Sequence, residues 1–444
     1  MLNKVLNRAY NAFVTVVSST GNLWSHRDLR DTDRGSRLTM ADSKIFDIAV
    51  VGAGPTGLAT GLAMASIGLK TVVIAPPANL QDGRTAALFA GSIEFLKRLG
   101  VWSHVAEAAA PLRTIRLVDA TGHIFRAPEV NFIADEIGIE AFGFNVPNAG
   151  LTQALETAAR GKLERVVSAG VRSLELGAVN GPAELTTQEG QTFAARLICG
   201  ADGRQSLCRE AADIATRSWS YDQAALVCSF SHSRPHNGVS TEFHRSAGPL
   251  TVVPMPGDTS SLVWVERPAE ATRISKLSDP DFVVELSKHL GGLLGTIERA
   301  SQRRVFPLSG LTATKFGQNR VALVGEAAHV MPPIGAQGLN LSLRDAATLA
   351  ELVGHRHARM EDIGGPAVLE DYENRRRADV SSRVWGIDLM NRSLLAEFLP
   401  IHLTRGAGLT ALKAFGPLRR WVMAEGISPS YATPTLMLPA PSAL

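Results

Sequence analysis

The sequence predicts an α/β fold in three parts: a Rossmann-like dinucleotide-binding domain, an inserted antiparallel β-sheet domain and C-terminal helices. The apolar run FDIAVV at residues 46–51 leads into a glycine-rich turn and a helical pattern, as in a parallel β–turn–α unit. Residues 224–265 contain short β-forming segments and a Pro-Gly-Asp turn, which are typical of an antiparallel sheet. A buried-strand pattern returns at residues 320–324, so the chain leaves the first domain and comes back to it.

These patterns divide the chain. We expect an N-terminal extension at 1–44, a discontinuous dinucleotide-binding domain at 45–215 and 305–380, a substrate-binding sheet domain at 216–304 and a helical region at 381–444. For the extension, an amphipathic transit-like helix, disorder and a wrongly assigned start stay open, because Met40 opens a second plausible N-terminus.

Composition excludes several classes of protein. The 444 residues carry a net charge of +3, too small a surplus to indicate nucleic-acid binding. Three cysteines form no CxxC pair, which predicts reduced thiols, and no His/Cys cluster has the spacing of a metal site. No apolar stretch reaches the roughly 18 residues that a membrane-spanning helix needs.

The first motif is GAGPTG at residues 52–57, placed between a strand and a helix. Gly52 permits a tight turn, Gly54 lets the backbone approach a pyrophosphate, and Gly57 allows close packing of helix and strand. Pro55 and Thr56 open the helix, whose free N–H groups attract phosphate. The motif therefore predicts dinucleotide binding.

One part of this pattern is missing. The second strand ends at Ala75, where an acidic residue normally binds the ribose hydroxyls, so the ribose must be held by water, by backbone or less tightly. Arg84 follows shortly afterwards, where a cation can meet a phosphate or the cofactor ring, although a surface arginine is the alternative.

The second motif is GADGRQS, which follows the strand ARLIC. Asp202 and Gly203 place a carboxylate and free backbone amides at the carboxyl end of a strand, where α/β proteins bind ligands. By itself, an ordinary Asp-Gly turn explains these two residues equally well.

The third motif is the most informative. A strand ends at Gly325 and Glu326, and a Gly/Pro-rich loop then turns into a new helix. That helix N-terminus favours a nearby anion, and the glycines remove side chains that would collide with a flat ring. We predict that the site includes the loop residues Pro333, Gly335, Gln337, Gly338, Leu339 and Asn340. His329 is a candidate base, with a structural histidine as the alternative.

Together the three motifs, spaced by about 150 and 120 residues, resemble those of the FAD-dependent aromatic hydroxylases. Within that family the sequence is most similar to the flavin hydroxylases of ubiquinone biosynthesis. The segments GPL at 248–250, NRSLL at 391–395 and GPLRR at 416–420 also resemble this subgroup, and the likeness extends over residues 45–428.

The resemblance implies an aromatic-hydroxylase type of FAD-binding fold. Gly52, Gly54 and Gly57 would hold the pyrophosphate, Asp202 and Gly203 would lie near FAD, Glu326 would contact its ribityl–pyrophosphate region, and Gly335–Asn340 would line the isoalloxazine. It implies O₂ as oxidant and ring hydroxylation of a polyprenylated phenol through a flavin C4a-hydroperoxide. Because the only GxGxxG is assigned to FAD, the reductant would be transiently docked NAD(P)H or an electron-transfer protein. No side chain is assigned a firm catalytic role.

The substrate implied by the resemblance is a membrane lipid. Residues 401–423 combine apolar and basic side chains, which is typical of an interfacial helix, while packing on the protein core stays open. We expect a cytoplasmic protein, with peripheral contact to the inner membrane or to a ubiquinone-biosynthesis complex left open. Rival interpretations are a hydroxylase of a small phenol, a non-catalytic assembly protein with an eroded flavin site, and an NAD-dependent dehydrogenase.

Overall fold

A computed structural model describes residues 44–80, 83–122, 127–177, 181–395, 399–427 and 433–439. Apart from Lys44, the predicted N-terminal extension lies outside these ranges.

The described part of the chain contains twenty strands. In chain order, β1 to β20 are Lys44–Val51, Thr71–Ala75, Thr85–Phe89, Ala110–Pro111, Thr114–Asp119, Val130–Ile133, Gly143–Pro147, Glu164–Val167, Val171–Glu175, Ala183–Thr187, Thr192–Gly200, Thr216–His232, Val239–His244, Leu250–Met255, Thr259–Glu266, Ile297–Ala300, Arg304–Ala313, Gly317–Gln318, Val321–Leu323 and His329–Val330.

Ten α-helices accompany the strands within the same ranges. In chain order, α1 to α10 are Pro55–Ser66, Ala90–Arg98, Asn148–Ala159, Leu207–Ala211, Pro268–Ser275, Asp279–Leu290, Gln337–Ala358, Pro366–Leu395, Leu399–Ala414 and Gly416–Ile427.

The first sheet has the order β18-β19-β11-β1-β2-β8, and β10 and β9 extend it from β11. β1 lies at its centre and pairs in parallel with both β11 and β2. Every residue of β2 is buried, as expected of a parallel strand that is covered on both faces. Helices α1 and α7 pack against each other, and their buried residues join one large core with those of the sheet.

The second sheet has the order β20-β17-β12-β15-β14-β13-β5-β6, with β16 attached to β12. Its strands pair antiparallel except for β13 and β5. β5, β6 and most of β17 extend beyond the predicted interval 216–304. Local sequence patterns predict that the strands between residues 224 and 265 are antiparallel, and they are. Which further strands join the sheet depends on pairing with segments distant in the sequence. The division into domains stays a prediction.

The two faces of this sheet bury different clusters because side chains alternate along each strand. Leu226, Cys228 and Phe230 point to one face, where α5 and α6 cover them with Ile274 and Phe282. Ala225 and Val227 belong to the other face, together with Val265, Leu308 and the partly buried Phe306. We call this second set the inner apolar face. It is the face turned toward β3, because Thr85 of β3 donates a hydrogen bond over 3.0 Å to Ser261 on that side of the sheet.

The C-terminal helices only partly cover their apolar residues. Leu409 of α9 and Met423 of α10 are buried, the latter against Phe142 and Ala134. Phe415, at the α9–α10 junction, and Leu418 and Trp421 of α10 are exposed. Within the described ranges, no helix combines the length and apolarity required to cross a bilayer.

All three cysteines are buried and none is in a disulfide. Burial raises the pKa of both Cys199 and Cys228 to about 12. For Cys208, burial and the nearby Asp202 carboxylate raise the pKa well above its usual range. The reactive thiolate form is therefore disfavoured at all three positions in the folded protein.

We predict that iodoacetamide at pH 8 leaves all three thiols unmodified in the folded protein, because each stays protonated and out of contact with solvent. Mass spectrometry counts the alkylated sites, and the same treatment in guanidinium is the control, where all three should react. Rapid modification of any cysteine without denaturant would contradict this account of the core.

Candidate active site

The first motif forms the turn between β1 and α1. Gly52 adopts φ +110°, and a Cβ atom there would lie 2.2 Å from the carbonyl oxygen of Ala201. A Cβ atom on Gly57 would lie 2.0 Å from the carbonyl oxygen of Gly52. These two glycines are therefore required by the packing of the turn itself.

Gly54 differs from them. A Cβ atom added to it would meet nothing within 4 Å, and the residue is exposed. Gly54 is the N-cap of α1 and provides no side-chain hydrogen bond to the helix, and Pro55 occupies the first turn. The start of α1 therefore has no side-chain cap and has open space at Gly54, as binding of a pyrophosphate requires.

The second motif lies beside the first. Ala201 N donates to Val51 O over 2.8 Å, which fixes the end of β11 against the end of β1. The Asp202 carboxylate accepts hydrogen bonds from Ser206 Oγ at 2.6 Å and Cys208 N at 3.0 Å. Both carboxylate oxygens therefore hold the turn before α4, and Gly203 continues it with φ +79°.

The third motif is joined to both of the others. Val324 N donates to Gly200 O over 2.9 Å, and Arg209 Nη1 of α4 donates to Ala327 O over 2.8 Å. A Cβ atom on Gly325 would lie 3.1 Å from both Thr56 Cγ2 and Ser342 Oγ. The turn at Gly325 is therefore in contact with the start of α1 and the first turns of α7.

The loop before α7 contains two consecutive left-handed residues, Gly335 at φ +64° and Ala336 at φ +54°. Ala336 is the N-cap of α7 and makes no side-chain cap, so the first N–H groups of this helix are also free of side-chain partners. A non-glycine residue in this conformation is strained and persists only when its surroundings hold it. Pro333, Gly335 and Gly338 are exposed, and Leu339 is half-buried.

Asn340 supplies that support. Its Nδ2 donates to Ala336 O and Ala87 O, both over 2.7 Å. Its Oδ1 accepts from Phe89 N at 2.8 Å and Ser92 Oγ at 2.7 Å. The side chain of Asn340 is thus fully used in tying the loop to β3 and α2, so its backbone is the part that remains for a ligand.

Arg84 and Glu326 are both exposed. The guanidinium carbon of Arg84 lies 5.3 Å from the centre of the Phe306 ring on the inner apolar face. This contact places a cation of the β2–β3 connection against the inner apolar face. Glu326 lies in the short 3₁₀ turn Gly325–Ala327, and its carboxylate makes no hydrogen bond or ion pair with another residue that the structure describes.

His329 is buried, and its Nε2 lies 2.6 Å from Oδ2 of Asp345. Burial opposes ionisation of Asp345, but the charges of His329 and Arg376 and the bond from Gly325 outweigh it and lower the pKa of that carboxyl. Arg376 Nε completes the contact with Asp345 over 2.7 Å. These bonds favour a structural role for His329, because its ring is committed inside the protein.

Sequence reasoning missed Arg165 of β8, whose side chain reaches the end of β2. Its Nη1 donates to Ala75 O over 3.0 Å and its Nη2 to Pro76 O over 2.8 Å, while Nε contacts Glu156 at 3.2 Å. The strand end where the ribose acid was expected therefore carries a guanidinium. Only the pairing of β2 with β8 brings Arg165 there.

The arrangement fits a flavin dinucleotide. Two helix N-termini, at Gly54 and Ala336, have no side-chain caps. Gly54, Gly335 and Gly338 beside them are exposed, and a Cβ atom at any of the three would meet nothing within 4 Å. The matching family model is the FAD binding domain, over residues 46–385.

The chain belongs to the FAD-binding-domain family.

Relatives agree with this membership. The chain is 34% identical to ubiquinone hydroxylase UbiL of Rhodospirillum rubrum, over 87% of this chain and 90% of the relative. It is 30% identical to 3-demethoxyubiquinol 3-hydroxylase of Escherichia coli, over 84% of this chain and 96% of the relative. The crystal structure of p-nitrophenol 4-monooxygenase from Pseudomonas putida has the same fold, with a TM-score of 0.70 at 17% identity, covering 86% of this chain and 98% of that one.

These findings confirm the recognised family, the fold class and FAD as the cofactor, and they support the enzyme class of FAD-dependent monooxygenase. The individual cofactor contacts stay predictions. The structure brings all three motifs together, as the sequence predicted.

We predict that Gly54→Ala and Gly57→Ala fail in different ways. Gly57→Ala should destabilise the protein by about 1–3 kcal/mol, because its Cβ must displace backbone. Gly54→Ala should leave the unfolding temperature nearly unchanged but weaken FAD binding by about tenfold, which is ~1.4 kcal/mol, because the methyl group occupies the phosphate approach.

Thermal unfolding of the apoprotein and quenching of flavin fluorescence separate the two effects. Wild-type FAD affinity in a well-folded Gly54→Ala variant would show that the pyrophosphate does not approach this residue.

Proposed function

We propose that this protein is an FAD-dependent monooxygenase that hydroxylates the aromatic ring of a polyprenylated phenol in ubiquinone biosynthesis. The observation that carries the proposal is the convergence of three motifs on two helix N-termini, directly beside an apolar sheet face. The names of the relatives in Rhodospirillum rubrum and Escherichia coli support the substrate class.

In this proposal the three motifs bind FAD. The N–H groups of Gly54 and Thr56, at the start of α1, hold the pyrophosphate. The turn at Gly203 and Glu326 flanks the ribityl chain, and the loop at Gly335–Asn340 lies along the ring. The guanidinium of Arg165 lies at the end of β2, where the usual acidic residue is replaced by Ala75. The adenosine ribose is therefore held without a carboxylate at position 75. Bound FAD supplies the chemistry of O₂ activation and oxygen transfer to an electron-rich ring.

The protein's own contribution is orientation and exclusion of water. Ala225, Val227, Val265 and Leu308 line the inner apolar face with alkyl side chains, which cannot donate a proton to a reactive oxygen species. Arg84 and Phe306 border this face on the side of the first sheet. A ring with a long apolar tail matches such a surface better than a small charged phenol does.

Histidines of the sheet domain do not supply a base in this proposal. His236 Nε2 lies 2.8 Å from Met255 O, and its Nδ1 accepts from Gly238 N over 3.1 Å. His244 Nε2 lies 2.9 Å from Glu242 Oε1. Both rings are therefore engaged in hydrogen bonds within the sheet and its turns. The reductant in this proposal is NAD(P)H that docks transiently, or an electron-transfer protein.

We predict that expression in a quinone-deficient host converts an accumulated polyprenylated phenol into its ring-hydroxylated product. Lipid extracts analysed by mass spectrometry identify the product, and the empty vector and the Gly54→Ala variant are controls.

Two outcomes would contradict the proposal. Purified protein that stays colourless and cannot be reconstituted with FAD would favour a non-catalytic assembly protein. Turnover of small phenols alone would favour a hydroxylase of another pathway.

We also propose that α10 and the end of α9 bind an anionic membrane surface. Phe415, Leu418 and Trp421 are exposed apolar side chains at the α9–α10 junction and in α10, and the exposed Lys413 and Arg420 lie close to them in the sequence. This combination is typical of an interfacial helix. Leu403 and Arg405 of the predicted segment have side chains outside the described set.

Not every basic residue is available for lipid. Arg419 donates from Nε and Nη2 to Glu136 Oε2 over 2.9 and 2.7 Å, so it anchors α10 to the remainder of the protein. The helix therefore packs on the core through Met423 and also has exposed apolar side chains at Leu418 and Trp421. The sequence by itself leaves these two as alternatives.

We predict that the Phe415→Ser/Trp421→Ser variant floats with anionic liposomes far less than the wild type, because the buried apolar area is lost while Arg419 still anchors the helix. Val167→Ser is the matched control, since Val167 is equally exposed on another part of the surface. Equal flotation of the double variant and the wild type would remove this part of the proposal.

A further inference from the structure

A chain of charged side chains runs between α7 and α8 in the interior. Asp345 Oδ1 accepts from Arg376 Nε over 2.7 Å, and Arg376 Nη1 donates to Asp379 Oδ2 over 2.7 Å. Arg344 Nη1 also donates to Asp379 Oδ2, over 2.8 Å, and Arg383 Nε donates to Asp379 Oδ1 over 2.8 Å. The first four of these side chains are at most 5% exposed, and that of Arg383 is 12% exposed. We call these five residues the buried charge chain.

Both ends of the buried charge chain reach the third motif. At one end, Asp345 Oδ2 accepts from Gly325 N over 3.0 Å and contacts His329 Nε2 at 2.6 Å. At the other end, Arg383 Nη1 donates to Gln337 Oε1 over 2.7 Å, and Gln337 Nε2 donates to Gly335 O over 3.2 Å. The turn after β19 and the loop before α7 are thus linked through side chains as well as through the backbone.

Stability alone does not account for this arrangement. The attraction within a buried ion pair often does no more than offset the free-energy cost of removing its two charges from water. Apolar residues of the same size stabilise the packing of two helices at least as well. A hydrogen-bonded chain differs from apolar packing because it allows only one register of the two helices. The positions of Gly325 and Gly335 depend on that register.

The charge balance of the chain is also uneven. Three guanidiniums, those of Arg344, Arg376 and Arg383, face two carboxylates, those of Asp345 and Asp379. The five residues of the buried charge chain therefore carry one net positive charge, close to the N-terminal half of α7. Among these residues Arg383 lies nearest to the loop, because it is the one bonded to Gln337. An excess positive charge in a poorly solvated position favours an anion in the space that the three motifs border, which we call the groove.

We propose that the buried charge chain positions the two halves of the third motif around FAD, and that Arg383 is the positioning residue that transmits this order to the Gly335–Asn340 loop. The inference rests on the proposed cofactor contacts of that loop. Arg383 acts through Gln337 and is not assigned a contact with substrate.

The test compares apoprotein and FAD-bound protein of three variants. Arg383→Met removes the charge, the bonds to Asp379 and Gln337 and the long 3.5 Å contact with Gly426 O of α10. Asp379 keeps Arg344 and Arg376 as partners, so the fold should survive. Arg383→Lys keeps the charge but cannot bond Asp379 and Gln337 as a planar fork does. Arg375→Met is the matched control, because Arg375 lies on the same helix and pairs at the surface with Glu351 over 2.7 Å.

We expect Arg383→Met to weaken FAD binding by about tenfold or more in fluorescence titrations, a loss of ~1.4 kcal/mol or more. Its bound flavin should also have a lower reduction potential than in the wild type. Arg383→Lys should recover the potential more fully than the affinity. Arg375→Met should match the wild type in both, and the apoprotein unfolding temperatures should agree among all four proteins.

A double-mutant cycle identifies the route. If Arg383 acts through Gln337, then Arg383→Met/Gln337→Leu binds FAD no more weakly than Arg383→Met alone. Strictly additive losses would overturn the proposed route, and an Arg383→Met affinity and potential equal to those of Arg375→Met would overturn the inference. Failure of the proposed function looks different, because a wild-type protein that binds FAD but yields no hydroxylated lipid leaves these titrations unaffected.

Discussion

Gly52 and Ala201 approach so closely that a single Cβ atom would lie 2.2 Å from a carbonyl oxygen. This contact joins the ends of β1 and β11, two parallel neighbours at the centre of the first sheet. Because the carboxyl ends of parallel strands meet at one edge, the loops that follow them are brought to the same place. The proposed cofactor groove depends on this contact, since a side chain at Gly52 would push the first two motifs apart.

Two kinds of constraint surround the groove. Gly52 and Gly57 lack side chains because backbone lies where a Cβ would be, whereas Gly54 and Gly338 have open space there. Only the second kind leaves room for a ligand. The distinction separates residues that build the site from residues that face its occupant, although all four belong to glycine-rich motifs.

Polar side chains that the motifs suggested as ligand contacts are largely engaged within the protein. Asn340 holds the strained Ala336, and Asp202 holds the turn before α4. What these residues offer a cofactor is an ordered backbone with free N–H groups at two helix starts. The buried charge chain extends the same principle, because it fixes backbone positions through side chains that lie one layer behind the groove.

Local patterns in the sequence were sufficient to predict the β1–α1 unit, the antiparallel second sheet and the three motifs. Each of these depends on neighbouring residues: apolar runs, turn residues and glycines at fixed spacing. The recognised family and FAD followed from the same motifs and are confirmed. Tertiary structure alone decided that β5 and β6 join the second sheet and that Arg165 lies at the end of β2. It also decided that charged residues of α7 and α8 pair in the interior. These features depend on contacts between segments far apart in the chain, and no local pattern encodes which strand or helix will be the neighbour.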